Sequence, residues 1–190
     1  MAAQTHFTIF DTPVGPCGIA WNERGIAWNE RGIAAFQLPE GDAEKTRARL
    51  ARRFPEAVEA APPEAIHRGI EDVAALLSGE ARDLSDAALD MEGVPELHRR
   101  VYEVARTIPP GRVLTYGEIA ARLSVDNPRL IGQALGRNPF AIIVPCHRVV
   151  GAGGKLGGFS ATGGAVTKRR LLEIEGARRD EEPTLFDLMA

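Results

Sequence analysis

The sequence predicts an α+β protein, with a small N-terminal α+β domain on an antiparallel sheet and a mostly helical C-terminal domain that contains a helix-turn-helix. Two observations lead to this prediction. Residues 1–92 mix short β-rich segments with two helical segments, whereas residues 93–176 carry apolar residues at helical spacing in one segment after another. Residues 177–190 follow as a C-terminal tail.

Four segments of the N-terminal region have clear patterns. His6 to Phe10 alternate and are β-rich, which predicts a strand. Glu44 to Phe54 and Pro62 to Leu77 have the composition and spacing of helices. Asp83 to Glu92 carry alternating apolar residues, which predicts a last strand before a linker near Gly93.

A perfect internal repeat lies between the first strand and the first helix. Gly18 to Arg24 recur unchanged as Gly25 to Arg31, and Gly32 begins a third copy. Each copy joins a short apolar run to a polar Asn-Glu-Arg-Gly turn, which suits one strand of a meander. An unmodified duplication over 18–31 indicates a recent insertion that lengthens a hairpin or adds an edge strand, without a catalytic role.

The C-terminal region is predicted to be a series of helices. A helix that opens at Pro95 ends before Pro109. A capping box that starts at Thr115 begins a short second helix. After a polar turn, Pro128 opens another helix that runs to about Arg137. The last two helices and their turn are typical of a helix-turn-helix.

The second helix of this motif has two different faces. One face carries apolar residues that should pack inward, namely Leu130, Ile131, Ala134 and Leu135. The opposite face carries Arg129, Gly132, Gln133 and Gly136. Exposed glycines weaken a helix by roughly 1 kcal/mol each, a cost that makes sense if a bulky surface such as a DNA backbone comes close. The alternative is a weak helix with an exposed arginine.

Charge and composition narrow the class of partner and the compartment. Val94 to Gly176 contain twelve Lys and Arg against six Asp and Glu, a net charge of +6, whereas the rest of the chain has eleven against twenty, a net of −9. This division favours a polyanionic partner, with ordinary solvated surface as the alternative. The apolar runs are too short to span a membrane, Met1 to Phe10 do not resemble a signal peptide, and Cys17 and Cys146 have no paired spacing. We therefore expect a cytoplasmic protein without disulfides or zinc.

A cysteine and a histidine stand side by side between two short apolar runs. Ile142 to Val144 are β-branched and precede a proline, which predicts a buried strand that ends at Pro145. A thiol there is fixed in position yet reachable, and His147 could help to ionise Cys146 to the reactive thiolate. Taken alone, the pair also fits an inert buried cysteine.

The segment around this pair strongly resembles the active-site segment of the O6-alkylguanine-DNA alkyltransferases, also called methylated-DNA–protein-cysteine methyltransferases. The resemblance is strongest from Asn138 to Val149 and covers roughly Pro95 to Gly176. It implies direct-reversal DNA repair, in which Cys146 takes the alkyl group irreversibly from O6 of guanine. It further implies that His147 acts through a water as the base, Glu175 orients the imidazole and Asn138 braces the turn.

The resemblance also implies how such a chain meets DNA. The damaged base is flipped out of the duplex, and the second helix enters the minor groove. The residues implied to contact DNA are Tyr116, which promotes nucleotide rotation, Arg129, which fills the vacated place in the stack, and Gly132, Gln133, Gly136 and Arg148. The residues implied for the base pocket are Tyr116, Ala141, Phe159 and Ser160. The protein should act once, as a monomer, without metal or cofactor; the preferred alkyl group and activity on O4-alkylthymine are left open.

Three features depart from common relatives, and three other functions compete. Proline often stands at the position of Ala141, Phe159 lacks a hydroxyl that some relatives carry, and the loop 160–164 is about two residues longer here. A module that only recognises alkylation damage usually lacks the cysteine, which this chain keeps at Cys146. An alkylation-responsive regulator normally has a further sensing domain, and a thiol hydrolase needs an oxyanion hole. The end of the tail, Thr184 to Ala190, is expected to be disordered or docked on its own domain, with partner binding as the alternative.

Overall fold

A four-stranded sheet forms the centre of the N-terminal half in the computed structural model, which describes residues 4–23 and 31–177. The strands are β1 (Thr5–Phe10), β2 (Cys17–Glu23), β3 (Arg31–Gln37) and β4 (Val58–Glu59). Their order is β3-β2-β1-β4, with antiparallel pairing except between β1 and β4. Mixed helices and an antiparallel-dominated sheet confirm the predicted fold class.

Two helices complete this half, α1 (Ala43–Arg53) and α2 (Glu64–Leu77). Asp42 caps α1, because its carboxylate accepts a hydrogen bond from the Lys45 N–H at 2.8 Å. On one face of the sheet, Leu50 of α1 packs with Phe7 and Ala20 in a small cluster. The other face of the sheet is left to pack against the C-terminal half.

The C-terminal half consists of short elements in close succession. They are α3 (Glu96–Arg106), β5 (Leu114–Thr115), α4 (Tyr116–Arg122), α5 (Pro128–Gly136), a 3-10 turn (Cys146–Arg148), β6 (Val149–Val150), a second 3-10 turn (Ala152–Gly154) and α6 (Ala165–Ile174). The capping box is present. The Thr115 side chain accepts the backbone N–H of Glu118, and the Glu118 carboxylate accepts the backbone N–H of Thr115 at 2.6 Å. Asn127 caps α5, so α4 and α5 form the expected helix-turn-helix.

One hydrophobic core runs through both halves of the protein. Trp21 and Phe36 from the sheet belong to the same buried cluster as Tyr102 and Phe140. The backbone N–H of Phe36 also donates to the carbonyl of Pro139 at 2.9 Å. The sheet therefore supports the segment that leads into Cys146, and the division at residue 92 stays a prediction.

Two predicted strands are wrong, and one helix starts later than expected. Asp83 to Glu92 form an irregular segment, with a single bridge between Leu89 and Ile33. Ile142 to Val144 form a tight turn, because the Val144 N–H bonds back to the Phe140 carbonyl at 2.8 Å. Pro95 precedes α3 instead of opening it. At 142–144, the two hydrogen bonds of the Asn138 side chain override the β preference of single residues, whereas 83–92 pair with β3 at one residue.

Parts of the repeat and the tail lie outside the described residues. The first heptad copy falls largely in β2, and the start of the third falls in β3. The second copy up to residue 30 and the tail from residue 178 are not described, so the expectations for them stay predictions. In the described ranges, none of the helices has the length and apolar character needed to cross a membrane.

Candidate active site

A sharp reversal of the chain positions Cys146 and His147. Both lie on the 3-10 turn Cys146–Arg148, where neighbouring side chains do not alternate between opposite faces as they would in a strand. The preceding turn contains Ile142 at φ +70°, a rare conformation for a β-branched residue. Asn138 holds this turn: its amide donates to the Val144 carbonyl at 2.8 Å, and its side-chain oxygen accepts the Phe140 N–H at 2.9 Å.

Next to the cysteine, His147, Arg148 and Glu175 form a buried network. His147 Nε2 lies 2.9 Å from Glu175 Oε1. Arg148 donates from Nε and Nη2 to the two carboxylate oxygens of Glu175, both at 2.8 Å, and from Nη1 to the carbonyl of Ile108. Such a paired arrangement compensates for the burial of the charges. The network joins the turn that carries Cys146 to the end of α6.

This network sets the protonation of His147. Burial by itself would raise the pKa of Glu175, but the hydrogen bonds from His147 and Arg148 outweigh it and lower the pKa to about 2. Burial lowers the pKa of His147, and Glu175 opposes this shift only in part. His147 is therefore neutral near pH 7. Because Nε2 donates to Glu175, Nδ1 is the basic nitrogen, and it has no hydrogen-bond partner among the described residues.

The thiol of Cys146 is buried for the most part but keeps some exposure at the cleft. Its residue is 8% exposed, and burial raises the pKa of the thiol above its ordinary value. Asn138, the positive charge of Lys168 and backbone N–H groups act in the opposite direction. The resting thiol is accordingly protonated at neutral pH, so a reaction at sulfur requires a base.

Lys168 is a further functional candidate, which the sequence reasoning missed. Its side chain is fully buried, with Nζ donating to the Val149 carbonyl at 2.6 Å and lying 5.7 Å from the centre of the Tyr116 ring. Burial lowers the pKa of its ammonium to about 8, although Cys146 acts in the opposite direction. The available signal was helical spacing, because Lys168 shares a face with Leu171 and Glu175.

A cleft of about 590 Å³ opens beside the cysteine. Besides Cys146, it is lined by these residues expected at the site: Tyr116, Arg129, Gly132, Gln133, Gly136, Phe159 and Ser160. A side chain at Gly132 would make ordinary contact with Tyr116 at 3.8 Å, and one at Gly136 would meet nothing within 4 Å. The packing of the protein itself therefore does not require either glycine, and the α5 face is free to meet a ligand.

Comparison with known proteins identifies the family. A methylated-DNA–protein-cysteine methyltransferase of Mycobacterium tuberculosis is 36% identical over 183 residues, which make up 96% of this chain and 99% of that protein. The chain belongs to the methylated-DNA–protein-cysteine methyltransferase family. The family description for the DNA-binding domain of 6-O-methylguanine DNA methyltransferase also matches, over residues 96–177. The resemblance stated from the sequence is confirmed.

Solved methyltransferase structures agree with this assignment. The crystal structure of the M. tuberculosis O6-methylguanine methyltransferase matches 97% of this chain and 100% of that chain, with a TM-score of 0.69 and 34% identity. The same methyltransferase in complex with DNA matches 96% of this chain and 99% of that chain, again with a TM-score of 0.69 and 34% identity. A DNA base-flipping protein of Thermus thermophilus is 42% identical over 107 residues, which make up 56% of this chain and 71% of that protein.

Three positions differ from what the methyltransferase resemblance or the helical pattern implied. Arg148 was expected to contact DNA, but its guanidinium is buried against Glu175 and is not presented to a ligand. Ala141 does not line the cleft, because the tight turn packs it against the core instead. Leu130 was expected to pack inward and is 38% exposed, since it lies on the flank of the first turn of α5.

The other cysteine, Cys17, lies in the core, away from the cleft. It is fully buried, and burial raises the pKa of its thiol to about 12, with Thr12 at 3.6 Å as its polar neighbour. Across residues 4–23 and 31–177, no group of three or more His, Cys, Asp or Glu side chains is placed to hold a metal ion.

Proposed function

We propose that the chain repairs alkylated DNA by moving the alkyl group from O6 of guanine to Sγ of Cys146, once per protein molecule. The observation that carries this proposal is the position of Cys146, which lines the cleft and directly precedes His147 of the buried network. A reachable thiol and an adjacent neutral base are the two groups that nucleophilic displacement at an alkyl carbon requires.

The protonation states support a concerted displacement. As Sγ attacks the alkyl carbon, its proton passes through a water to Nδ1 of His147, and Glu175 stabilises the imidazolium that forms. The O6–carbon bond breaks, and its electron pair stays on the guanine, which takes up a proton. Lys168 stabilises negative charge on the sulfur. The product is a stable thioether, so the reaction stops after one transfer and uses no metal or cofactor.

The proposed partner is double-stranded DNA that contains O6-alkylguanine, bound by α5 in the minor groove. Arg129, Gly132, Gln133 and Gly136 support this because they line the cleft from α5. The target base must leave the stack at a cost of a few kcal/mol. Arg129, which is exposed, is proposed to fill the vacated place, and Tyr116 to promote rotation of the nucleotide.

The rest of the proposal follows from the same site. Ser160 is proposed to donate a backbone hydrogen bond to the flipped base, beside Phe159. The net charge of +6 over Val94 to Gly176 favours binding through phosphates, with little dependence on sequence. We further propose that the protein acts as a monomer in the cytoplasm, where a reducing environment keeps the Cys146 thiol available.

Damage recognition without transfer is the second candidate function. The similarity to a DNA base-flipping protein of Thermus thermophilus, which extends over 107 residues, favours it. The reactive environment of Cys146 argues for transfer instead. A single experiment distinguishes the two functions.

The test measures the loss of O6-methylguanine from the DNA and not a change in the protein. A duplex with one O6-methylguanine is incubated with increasing amounts of protein, and its nucleosides are then quantified by chromatography. Repair predicts that O6-methylguanine is converted to guanine one-for-one with added protein, and that Cys146→Ser protein leaves it unchanged while still binding the duplex. Binding by the wild type without any loss of O6-methylguanine would support the recognition function.

A further inference from the structure

The loop that forms one wall of the cleft is joined to the N-terminal half by a direct side-chain bond. Thr162 Oγ1 donates to Glu40 Oε2 at 2.6 Å, across 122 positions of the chain. Phe159 and Ser160, which line the cleft, stand immediately before this loop tip. We propose that Glu40 and Thr162 form a latch that positions this wall and thereby determines which O6-alkyl groups the site accepts. The inference rests on the proposed function.

The N-terminal side of the latch is firmly held. Gln37 Nε2 donates to Glu40 Oε1 at 2.9 Å, and Arg49 Nε lies 3.9 Å from the same oxygen. The Glu40 N–H donates to Oγ1 of Thr46, a fully buried side chain, at 3.1 Å. Because its backbone and both carboxylate oxygens have partners, Glu40 is suited to act as a fixed anchor for Thr162.

On the loop side, Phe159 and Ala161 pack against the main core, and the tip beyond them is held by the latch and α6. Residues 151–164 contain seven glycines, and a short 3-10 turn is the one regular element that the structure describes in this range. The Thr162 carbonyl accepts a hydrogen bond from Thr167 Oγ1 at 2.5 Å. Gly163 has φ +85°, and a side chain there would clash with Thr167 Oγ1. The loop tip is thus fixed between α6 on one side and Glu40 on the other.

A second contact ties the same region to the N-terminal half. Arg170 of α6 donates from Nη2 to the Pro13 carbonyl at 3.1 Å. Both contacts join the wall-bearing segment 160–170 to the N-terminal half, whereas the opposite wall of the cleft is built by α5 and Tyr116. The width of the cleft therefore depends on how the N-terminal half holds the loop.

Loosening the latch should affect small and large alkyl groups differently. A methyl group reacts only when the base is held close to Sγ, so a wall that is open part of the time lowers the competent fraction. A benzyl group fills more of the cleft and depends less on this wall. The ratio of the two reaction rates therefore reports the state of the latch. A general loss of stability would lower both rates equally and leave this ratio unchanged.

The test compares second-order rate constants for two duplexes of the same sequence, one containing O6-methylguanine and the other O6-benzylguanine. Thr162→Val removes the donor but keeps the shape, and we expect the rate with the methylated duplex to fall ~5-fold, as for the loss of one hydrogen bond, while the benzyl rate stays within ~2-fold. Thr162→Ser should react like wild type. Glu40→Ala should repeat the effect of Thr162→Val, and the double variant should be no slower than either. Arg47→Ala removes an exposed ion pair to Glu59 from α1, leaves the latch intact and serves as the matched control.

The possible outcomes distinguish a failure of the latch proposal from a failure of the proposed function. Wild-type protein that leaves both substrates unchanged would show that the proposed function is wrong, and the latch with it. If wild type reacts and Thr162→Val matches it on both substrates, the latch alone is wrong. An equal fall on both substrates with a lowered melting temperature would also overturn the latch, since it would indicate simple destabilisation.

Discussion

Glu175 connects the chemistry of the site to the stability of the fold, because it accepts hydrogen bonds from both His147 and Arg148. Without a carboxylate, the guanidinium of Arg148 would remain buried, with the Ile108 carbonyl as its one partner among the described residues, and His147 would lose the group that orients it. The pKa of Glu175, lowered to about 2, measures how strongly the folded state prefers the ionised form.

This preference gives a prediction for the dependence of stability on pH. The pKa of Glu175 falls from 4.5 to about 2 on folding, so its stabilising contribution is complete above pH 4.5 and is lost as pH falls towards 2. The shift corresponds to about 3 kcal/mol. We expect the difference in unfolding free energy between wild type and Glu175→Gln, measured by urea titration, to shrink by about that amount over this range. A difference that does not vary with pH would contradict the assigned network.

Lys168 gives the same direction of pH dependence as Glu175, in a higher pH range. Burial lowers the pKa of its ammonium from 10.5 to about 8, so the folded state loses this proton before the unfolded state does. The stability of wild type should therefore rise relative to Lys168→Met between pH 8 and 10.5, as measured by urea titration. At neutral pH the same substitution should slow alkyl transfer roughly 10-fold, because it removes a positive charge near the sulfur. Unchanged rates in Lys168→Met would leave this lysine a purely structural role.

At the scale of single residues, the motif predicted some members of the candidate site and could not predict others. The resemblance pointed to Cys146, His147 and Asn138 through one contiguous, specific segment, and to Glu175 through a second matching segment downstream. Arg148 belongs to the first segment, but its assignment to DNA was wrong because a motif does not indicate which way a side chain points once the chain turns. Lys168 lies on a different element, and its burial depends on the packing of α6 under the active-site turn.

At the scale of elements, α5 combines weak helix propensity with an open surface. Gly132 and Gly136 have room for a methyl group, so the protein accepts a small loss of stability to keep this face flat. A flat helical face next to the exposed Arg129 is what close approach to a DNA backbone requires. The two glycines thus lower the stability of α5 and at the same time keep its exposed face flat.

Substitution of these glycines should separate stability from binding. We expect Gly132→Ala and Gly136→Ala each to raise the unfolding free energy by up to ~1 kcal/mol, because alanine favours the helix. Each should also weaken binding to duplex DNA, because a methyl group then stands in the contact surface; fluorescence anisotropy measures this.

The matched control for these variants lies on another helix. Gly69 is in α2, and a side chain there would likewise meet nothing within 4 Å. Gly69→Ala should be stabilising to a similar extent without any change in DNA affinity. Equal DNA affinity for all three variants would contradict the assignment of the α5 face.

Elements were predictable where the signal is local. The capping box at Thr115 and the proline that opens α5 need only neighbouring residues, and both are present. The turn at 141–144 was missed because the side chain of Asn138 and the sheet contact of Pro139 outweigh the preference of three β-branched residues for a strand. Such a competition depends on tertiary contacts that sequence pattern does not contain.

At the scale of the whole molecule, the continuous core makes the N-terminal half a support for the site. Phe36 packs in the same cluster as Phe140, and its backbone N–H bonds to Pro139, shortly before Cys146. The sequence predicted two domains from composition and from a linker near Gly93, but it contained no signal for a shared core. Long-range packing of this kind becomes visible only in the fold.

This coupling predicts a single unfolding transition. Because residues from both halves form one buried cluster, we expect one calorimetric peak whose van't Hoff and calorimetric enthalpies agree. Phe36→Ala should lower the unfolding free energy by about 3 kcal/mol or more and shift the whole transition, as expected for a large buried aromatic residue. Two separate transitions, with only the earlier one shifted by Phe36→Ala, would show that the halves are independent.

The central claim is that Cys146 itself receives the alkyl group, and peptide mass spectrometry tests it most directly. The protein is incubated with a duplex containing one O6-methylguanine, digested and analysed, with Cys146→Ala as the control. We expect the peptide that contains Cys146 to gain the mass of one methylene unit in proportion to the damaged base consumed, with no gain in the control. Methyl on another residue, or an unmodified Cys146 peptide after tight binding of the damaged duplex, would contradict the account.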